Sequence, residues 1–303
     1  MTTSQQARQW QNLVLFMGPA ILLLSCFFIA PVVVNIVVAF TDMGRGLRIT
    51  EFTTENFERM VTRDRRISHT LAVTAIYVFF TLAIFNVTFG LILALTTTAV
   101  PDRVGSFFRA DWLLPRISPS VVNALLWAWV VGPTDRGLIN QVAVGMFGLE
   151  PLDMKSDHAL VLIVLANGFI GASMGMIIFT SAIRAIPEHL FHAARCDGAG
   201  PLAIAWHVTL PALRWPLSFI TVYQTLSLLV SFEYIWLITN GGPFYETTVY
   251  ALYVYQRAFG SGQYAYGAAL ALVLVAIGII AALAMWRFFD MKRLLQQPRI
   301  EVQ

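Results

Sequence analysis

The chain has 303 residues, a mean hydropathy of +0.69, a net charge of +3 and only 12% charged residues. Soluble domains carry roughly a quarter charged residues, so this composition belongs in a lipid bilayer. The basic residues are scattered with no run that suits nucleic acid, and two cysteines, Cys26 and Cys196, cannot frame a fold with disulfides.

A hydrocarbon core about 30 Å thick calls for roughly 20 apolar helical residues. Six segments reach that length, at about 13–40, 70–98, 107–132, 159–183, 216–238 and 266–289. They predict an all-α, polytopic membrane bundle of six transmembrane helices, with residues 1–303 as one domain. The first is too long for a signal-peptide core and is read as retained. Pro19 and Pro31 predict kinks in it, which neighbouring helices can satisfy. The third carries Arg109, Asp111, Arg116, Pro115 and Pro119 in its first half, before the apolar run VVNALLWAWVV. Segments 41–69, 133–158 and 240–265 are too short for independent domains but long enough to shape a mouth.

Six spans place both termini on one side, together with loops 99–106 and 184–215. That side holds ten Lys and Arg residues and the other nine, six of the nine within 41–69. Leaving that segment out, the balance is ten to three, and the positive-inside rule puts both termini in the cytoplasm. The only lysines, Lys155 and Lys292, follow no Gly-x-x-x-x-Gly pattern, so a Walker loop is absent. Any ATP hydrolysis must come from another chain.

The loop of residues 185–215 is polar, folded and placed between two apolar segments. It carries Glu188, His189, His192, Arg195, Asp197 and His207. Pro187 suits the first turn of a helix. Gly198 and Gly200-Pro201 predict its end after about three turns. Leu190, Phe191 and Ala194 form an apolar face fit for docking in a groove. His189 and His192 make an H-x-x-H pair that no further ligand spacing completes, so no metal site is read.

His192-Ala193-Ala194, Gly198, Val208, Leu210 and Pro211 keep every spacing of the EAA loop of permease subunits in binding-protein-dependent ABC importers, which this stretch resembles. Val208 stands for the usual isoleucine. His192 stands for the usual glutamate, replacing an acceptor-only carboxylate with an imidazole. Glu188, one turn earlier, lies on the same helical face. Phe232 to Pro243, reading FEYIWLITNGGP, resembles the F-x-x-I-x-x-L-T-x-G-G-P run of the maltose-permease MalF-like half of carbohydrate importers. The stretch from Leu114-Pro115 to Gly137-Leu138-Ile139-Asn140 resembles a further segment of that group.

The resemblance implies a sugar-uptake permease in the bacterial cytoplasmic (inner) membrane. It implies a second, different permease chain, two copies of an ABC ATPase that bind ATP and Mg, and a periplasmic or extracellular solute-binding protein. This chain itself then needs no cofactor. Transport would proceed by alternating access, with Glu188, His192, Ala193, Ala194, Asp197, Gly198, Leu210 and Pro211 in the coupling loop. The substrate is a sugar or derivative: an oligosaccharide, a polyol, or a glycerol-phosphate-like or sulfonated sugar.

Polar side chains inside spans are costly and mark a path. Gln224, Ser227 and Ser231, with Leu228 among them, fall on one helical face. Asn167, Gly171 and Met174 share another, and Asn123 and Trp127 are one turn apart. Laid against the maltose-type permease, Asn123, Gly171, Met174, Gln224, Ser227, Leu228 and Ser231 fall where sugar contacts lie. Each also has a plain helix-packing reading. Arg116 reads either as a side chain snorkelling to the inner interface or as a contact to an anionic substrate. Glu233 reads as an interfacial or helix-pairing group. The alternative function is a stand-alone secondary transporter or channel for a small polar solute. That would favour inverted repeats or a buried charge chain, which the sequence lacks. An intramembrane enzyme would need HExxH or paired aspartates at membrane depth, also missing.

Overall fold

The computed structural model describes residues 15–133 and 137–289. Positions 13–14 of the predicted first span, positions 134–136, Lys292 and both termini lie outside these. Among the described residues the chain is nearly all helical, and four helices are long and apolar enough to cross a membrane. In chain order the elements are α1 (Leu15–Ala39), α2 (Glu55–Thr62), α3 (Arg66–Ala99), α4 (Asp102–Ile117), α5 (Ser120–Val130) and α6 (Leu138–Phe147). Then come α7 (Met154–Asp157), α8 (Ala159–Arg184), α9 (Glu188–Cys196), α10 (201–212), α11 (Arg214–Val230), α12 (Glu233–Ile238), α13 (250–260) and α14 (Tyr264–Phe288). The long apolar helices are α1, α3, α8 and α14.

The predicted third and fifth spans are not single helices. The third divides into α4 and α5 at Ser118-Pro119, where both residues are extended, with ψ of 144° and 139°. The ring of Pro119 disfavours helical geometry at the residue before it. The fifth divides into α11 and α12 at Ser231-Phe232, where Ser231 has ψ 118°. Ser231 therefore lies just past the helix that carries Gln224 and Ser227.

The residues form two compact units, one of residues up to Arg65 with Val254–Val275, the other of Arg66–Tyr253 with residues from Ala276 onward. In the first, Asn56 Nδ2 donates to the carbonyls of Ala39 (3.0 Å) and Thr41 (2.8 Å), closing the end of α1. Arg59 lies 4.3 Å from the centre of the Tyr266 ring, whose hydroxyl donates to Asp64 at 2.6 Å. Charges in the 41–69 segment are thus partly tied up by the fold. On α1, Phe27 and Leu22 are 77% and 62% exposed, as side chains facing lipid are.

Two π turns share a cause. Ser25–Ile29 in α1 is centred four residues before Pro31, and Ala205–Thr209 in α10 is centred four before Pro211. A helical proline lacks an N–H and crowds the carbonyl four residues back. The helix responds by shifting to i→i−5 bonds, as Ala30 N to Ser25 O and Leu210 N to Ala205 O show. The helix runs on through Pro19 and Pro31, with this local widening one turn before Pro31.

The second unit is organised around α8, with Leu162, Ile163, Ala166, Ala172, Met176 and Phe179 fully buried. A third π turn, Thr81–Phe89 in α3, packs on its stripe of small residues. A Cβ on Gly168 would collide with the Phe85 ring, one on Gly171 with the Asn86 side chain, and one on Gly175 with the Asn86 carbonyl oxygen. Close backbone approach through small residues is how membrane helices gain packing. Gly175→Leu cannot be relieved by a rotamer change, because the obstacle is backbone. Thermal unfolding in detergent should show a loss of about 1–3 kcal/mol or more. Gly145→Ala, which meets open space, should match the parent protein.

Candidate substrate path and coupling loop

The polar loop folds much as its sequence predicts, with the helix start moved by one residue. Pro187 is the extended N-cap, with ψ 131°, and α9 begins at Glu188 and ends after nine residues. Its end is a complete Schellman motif. Gly198 N donates to Arg195 O (3.0 Å) and Ala199 N to Ala194 O (2.9 Å), with Gly198 at φ 76°. Glu188, His189, His192, Ala193 and Asp197 are exposed, Leu190 is 43% exposed, and Phe191 and Ala194 are half-buried. Behind α9 lies a groove of about 1010 Å³, lined by Thr98 of α3, Arg184 of α8, and Glu188, Phe191, His192 and Arg195. Glu188 and His192 therefore share a face, as their spacing requires. Leu210 and Pro211 end α10, and Leu213, just after them, is fully buried against Phe179 and Ile220.

A polar clasp stands beside this groove. Asp102, the first residue of α4, accepts hydrogen bonds from Arg184 at the end of α8 and from Arg109 Nη2 (3.3 Å). Arg109 also donates to Thr97 O (2.8 Å) in the last turn of α3. Asp102 at the start of α4 and Arg184 at the end of α8 each sit at the helix end that their sign favours. Arg184 first, then Arg109, hold the Asp102 carboxyl below the usual carboxylate range. A depressed folded value means the clasp stabilises above the unfolded value of about 3.9 and is lost as pH falls through the folded value. The difference in melting midpoint between parent and Asp102→Asn should be constant from about pH 5 to 8 and shrink below about pH 4.

The predicted path residues separate into three groups. Asn167 Nδ2 donates to the Tyr77 hydroxyl and to Ser231 Oγ (3.2 Å), and Gln224 Nε2 donates to the Gly171 carbonyl (3.3 Å). Met174 is half-buried, Leu228 is buried and Ser227 is exposed. Trp127 lies apart from these, in an aromatic series with Phe169 (6.1 Å), Trp112 (4.6 Å from Phe169) and Phe89 (5.3 Å from Trp112). Asn123 forms the third group. Its Nδ2 donates to Pro115 O (2.7 Å) and Ser118 O (3.3 Å), capping the break between α4 and α5. Arg116 is in the last turn of α4, about 21 Å along the helix from Asp102. It is exposed and sits two residues before the break at Ser118-Pro119.

Tyr77, Ser120 and Tyr234 went unnoticed in the sequence. A tyrosine or serine in an apolar run carries no positional signal until the helices that pair it are known. Asn123→Ala would leave two carbonyls at the break without a donor, a cost of about 1–3 kcal/mol. Detergent melting should register it, together with new cysteine accessibility at position 118 in a Ser118→Cys reporter.

No family model matches the chain. A probable ABC transporter permease protein of Pyrococcus horikoshii is 32% identical over 281 residues, covering 89% of this chain and 93% of that one. The chain belongs to the family of ABC sugar-transporter permeases. An sn-glycerol-3-phosphate transport system permease protein of Salmonella choleraesuis is 32% identical, covering 67% of this chain and 70% of its own length. A lactose transport system permease protein of Rhizobium radiobacter is 28% identical, covering 91% and 92%. A chain of a bacterial ABC transporter that imports the acidic polysaccharide alginate shares the fold, with a TM-score of 0.81 at 19% identity over 94% of this chain and 99% of that one. The permease is a multi-pass membrane protein and a transporter subunit of an ATP-binding-cassette importer.

Proposed function

We propose that this permease forms one half of the membrane pathway of a sugar importer, beside a second, different permease chain, and that the whole chain acts as one permease domain. Two copies of an ABC ATPase bind the ATP and Mg, and an external solute-binding protein delivers the sugar or sugar derivative. The chain crosses the membrane six times, with the α4–α5 and α11–α12 pairs each making one broken crossing, and both termini are cytoplasmic. The relatives described above support the sugar class, since their names include lactose and glycerol-3-phosphate systems.

The observation that carries the coupling role is the exposed, self-capped helix α9, held over an open groove where α3 ends and α8 ends. A short amphipathic helix with a fixed end is a handle that a soluble partner can grip. Glu188 and His192 line the groove, while Leu190 and Ala193 face away. Glu188 supplies the carboxylate that His192 lacks. The path residues Asn123, Trp127, Asn167, Gly171, Met174, Gln224, Ser227, Leu228 and Ser231 serve the sugar partly through direct contact and partly through shaping the two breaks. Arg116 contacts the substrate beside them. The chain itself needs no cofactor.

Gly198→Val tests the handle. A β-branched residue at φ 76° costs about 1–2 kcal/mol locally, enough to fray the end of α9 without unfolding the bundle. In reconstituted importer, sugar uptake should fall at least tenfold while the variant still copurifies with the second permease. Full uptake by that variant would remove α9 from the coupling path.

A further inference from the structure

The two broken crossings meet at their breaks, and nearly every polar group there is already engaged. Asn123 covers the carbonyls of Pro115 and Ser118 and also hydrogen-bonds the Tyr234 hydroxyl. Ser231 Oγ accepts from Asn167. Ser120 Oγ, at the start of α5, donates to Glu233 Oε1 at 2.6 Å, at the start of α12. Two charges remain with capacity to spare. Glu233 is exposed and Ser120 takes one of its two oxygens. Arg116 is exposed in the last turn of α4, four residues before the Ser120 that holds Glu233. Ionised side chains inside spans are costly and mark pathways.

From this juxtaposition we infer that Glu233 and Arg116 form a substrate subsite at the paired breaks, selective for neutral sugars with adjacent hydroxyls. The inference rests on the sugar-importer reading above and narrows its substrate class. A carboxylate is an acceptor-only group. With Ser120 fixing one oxygen, the other accepts hydroxyl donors in charge-assisted bonds. Arg116 carries donors only and complements sugar oxygens. The pair sums to zero charge, so a phosphate or uronate would gain one contact and meet repulsion at the other. The site lies about 25 Å along α11 from its first residue, Arg214. That places it toward the mouth, where sugar released by the binding protein first meets the membrane chains.

The test uses the complete importer in nanodiscs with its solute-binding protein. Thermal-shift screening of that protein with maltose, lactose, trehalose, sn-glycerol 3-phosphate and galacturonate, extended to other solutes if these fail, fixes the transported ligand. Uptake is then compared for that sugar and a monodeoxy analogue, each saturating the binding protein. The parent should prefer the full sugar at least tenfold. Glu233→Gln should reduce that preference to about twofold, with Glu233→Asp restoring part of it and melting midpoints unchanged. A neutral sugar with undiminished discrimination in Glu233→Gln overturns the subsite. So does loss of the second permease from that variant on purification, which would make Glu233 an intersubunit contact. An anionic sugar as ligand overturns the subsite while leaving the importer reading intact. A ligand that is not a carbohydrate removes both.

Discussion

Every backbone carbonyl released inside a membrane must find a donor within the protein, because hydrocarbon offers none. This permease interrupts its helices at Ser118-Pro119 and at Ser231-Phe232, and polar side chains gather around both breaks. Asn123 spends its amide on two carbonyls of one break. Asn167 and Ser231 tie the other to Tyr77 of α3. Ser120 and Glu233 then join the α4–α5 pair to the α11–α12 pair.

Much of this was legible before any coordinates. The α9 loop was readable because its signals are local: a proline at the start, a Gly in left-handed geometry at the end, and a fixed run of residues between. The long helices were readable because twenty apolar residues have few alternatives. The breaks were harder. Pro119 announced the first through its effect on Ser118, yet the apolar run around it read as one span. The break at Ser231 has no proline or glycine to mark it. Its partner, Asn167, lies 64 positions away in sequence, so local reading continued the helix through Ser231.

Proline acts in three ways along this chain, and the difference is positional. At Pro119 and Pro187 it stands at the N-cap, where extended geometry starts the next helix. At Pro216 it lies in the first turn of α11, where no N–H is needed. At Pro31 and Pro211 it has a helical turn before it, and the helix widens instead of ending. The π turn in α3 has no proline and serves packing: it brings Phe85 and Asn86 against glycines of α8 with no room for a Cβ. Asn86 Oδ1 is left buried and without a partner at that contact, a local cost set against close contact between the two long helices.

The groove behind α9 has a consequence for thermodynamics as well as mechanics. A volume of about 1010 Å³ corresponds to on the order of thirty water molecules at roughly 30 Å³ each. If α9 swings toward the end of α3 during the cycle, that water must leave, and the equilibrium between open and closed forms becomes a function of water activity. Osmotic pressure then enters the energetics of import directly. Polymers too large to enter the groove would then favour the closed form.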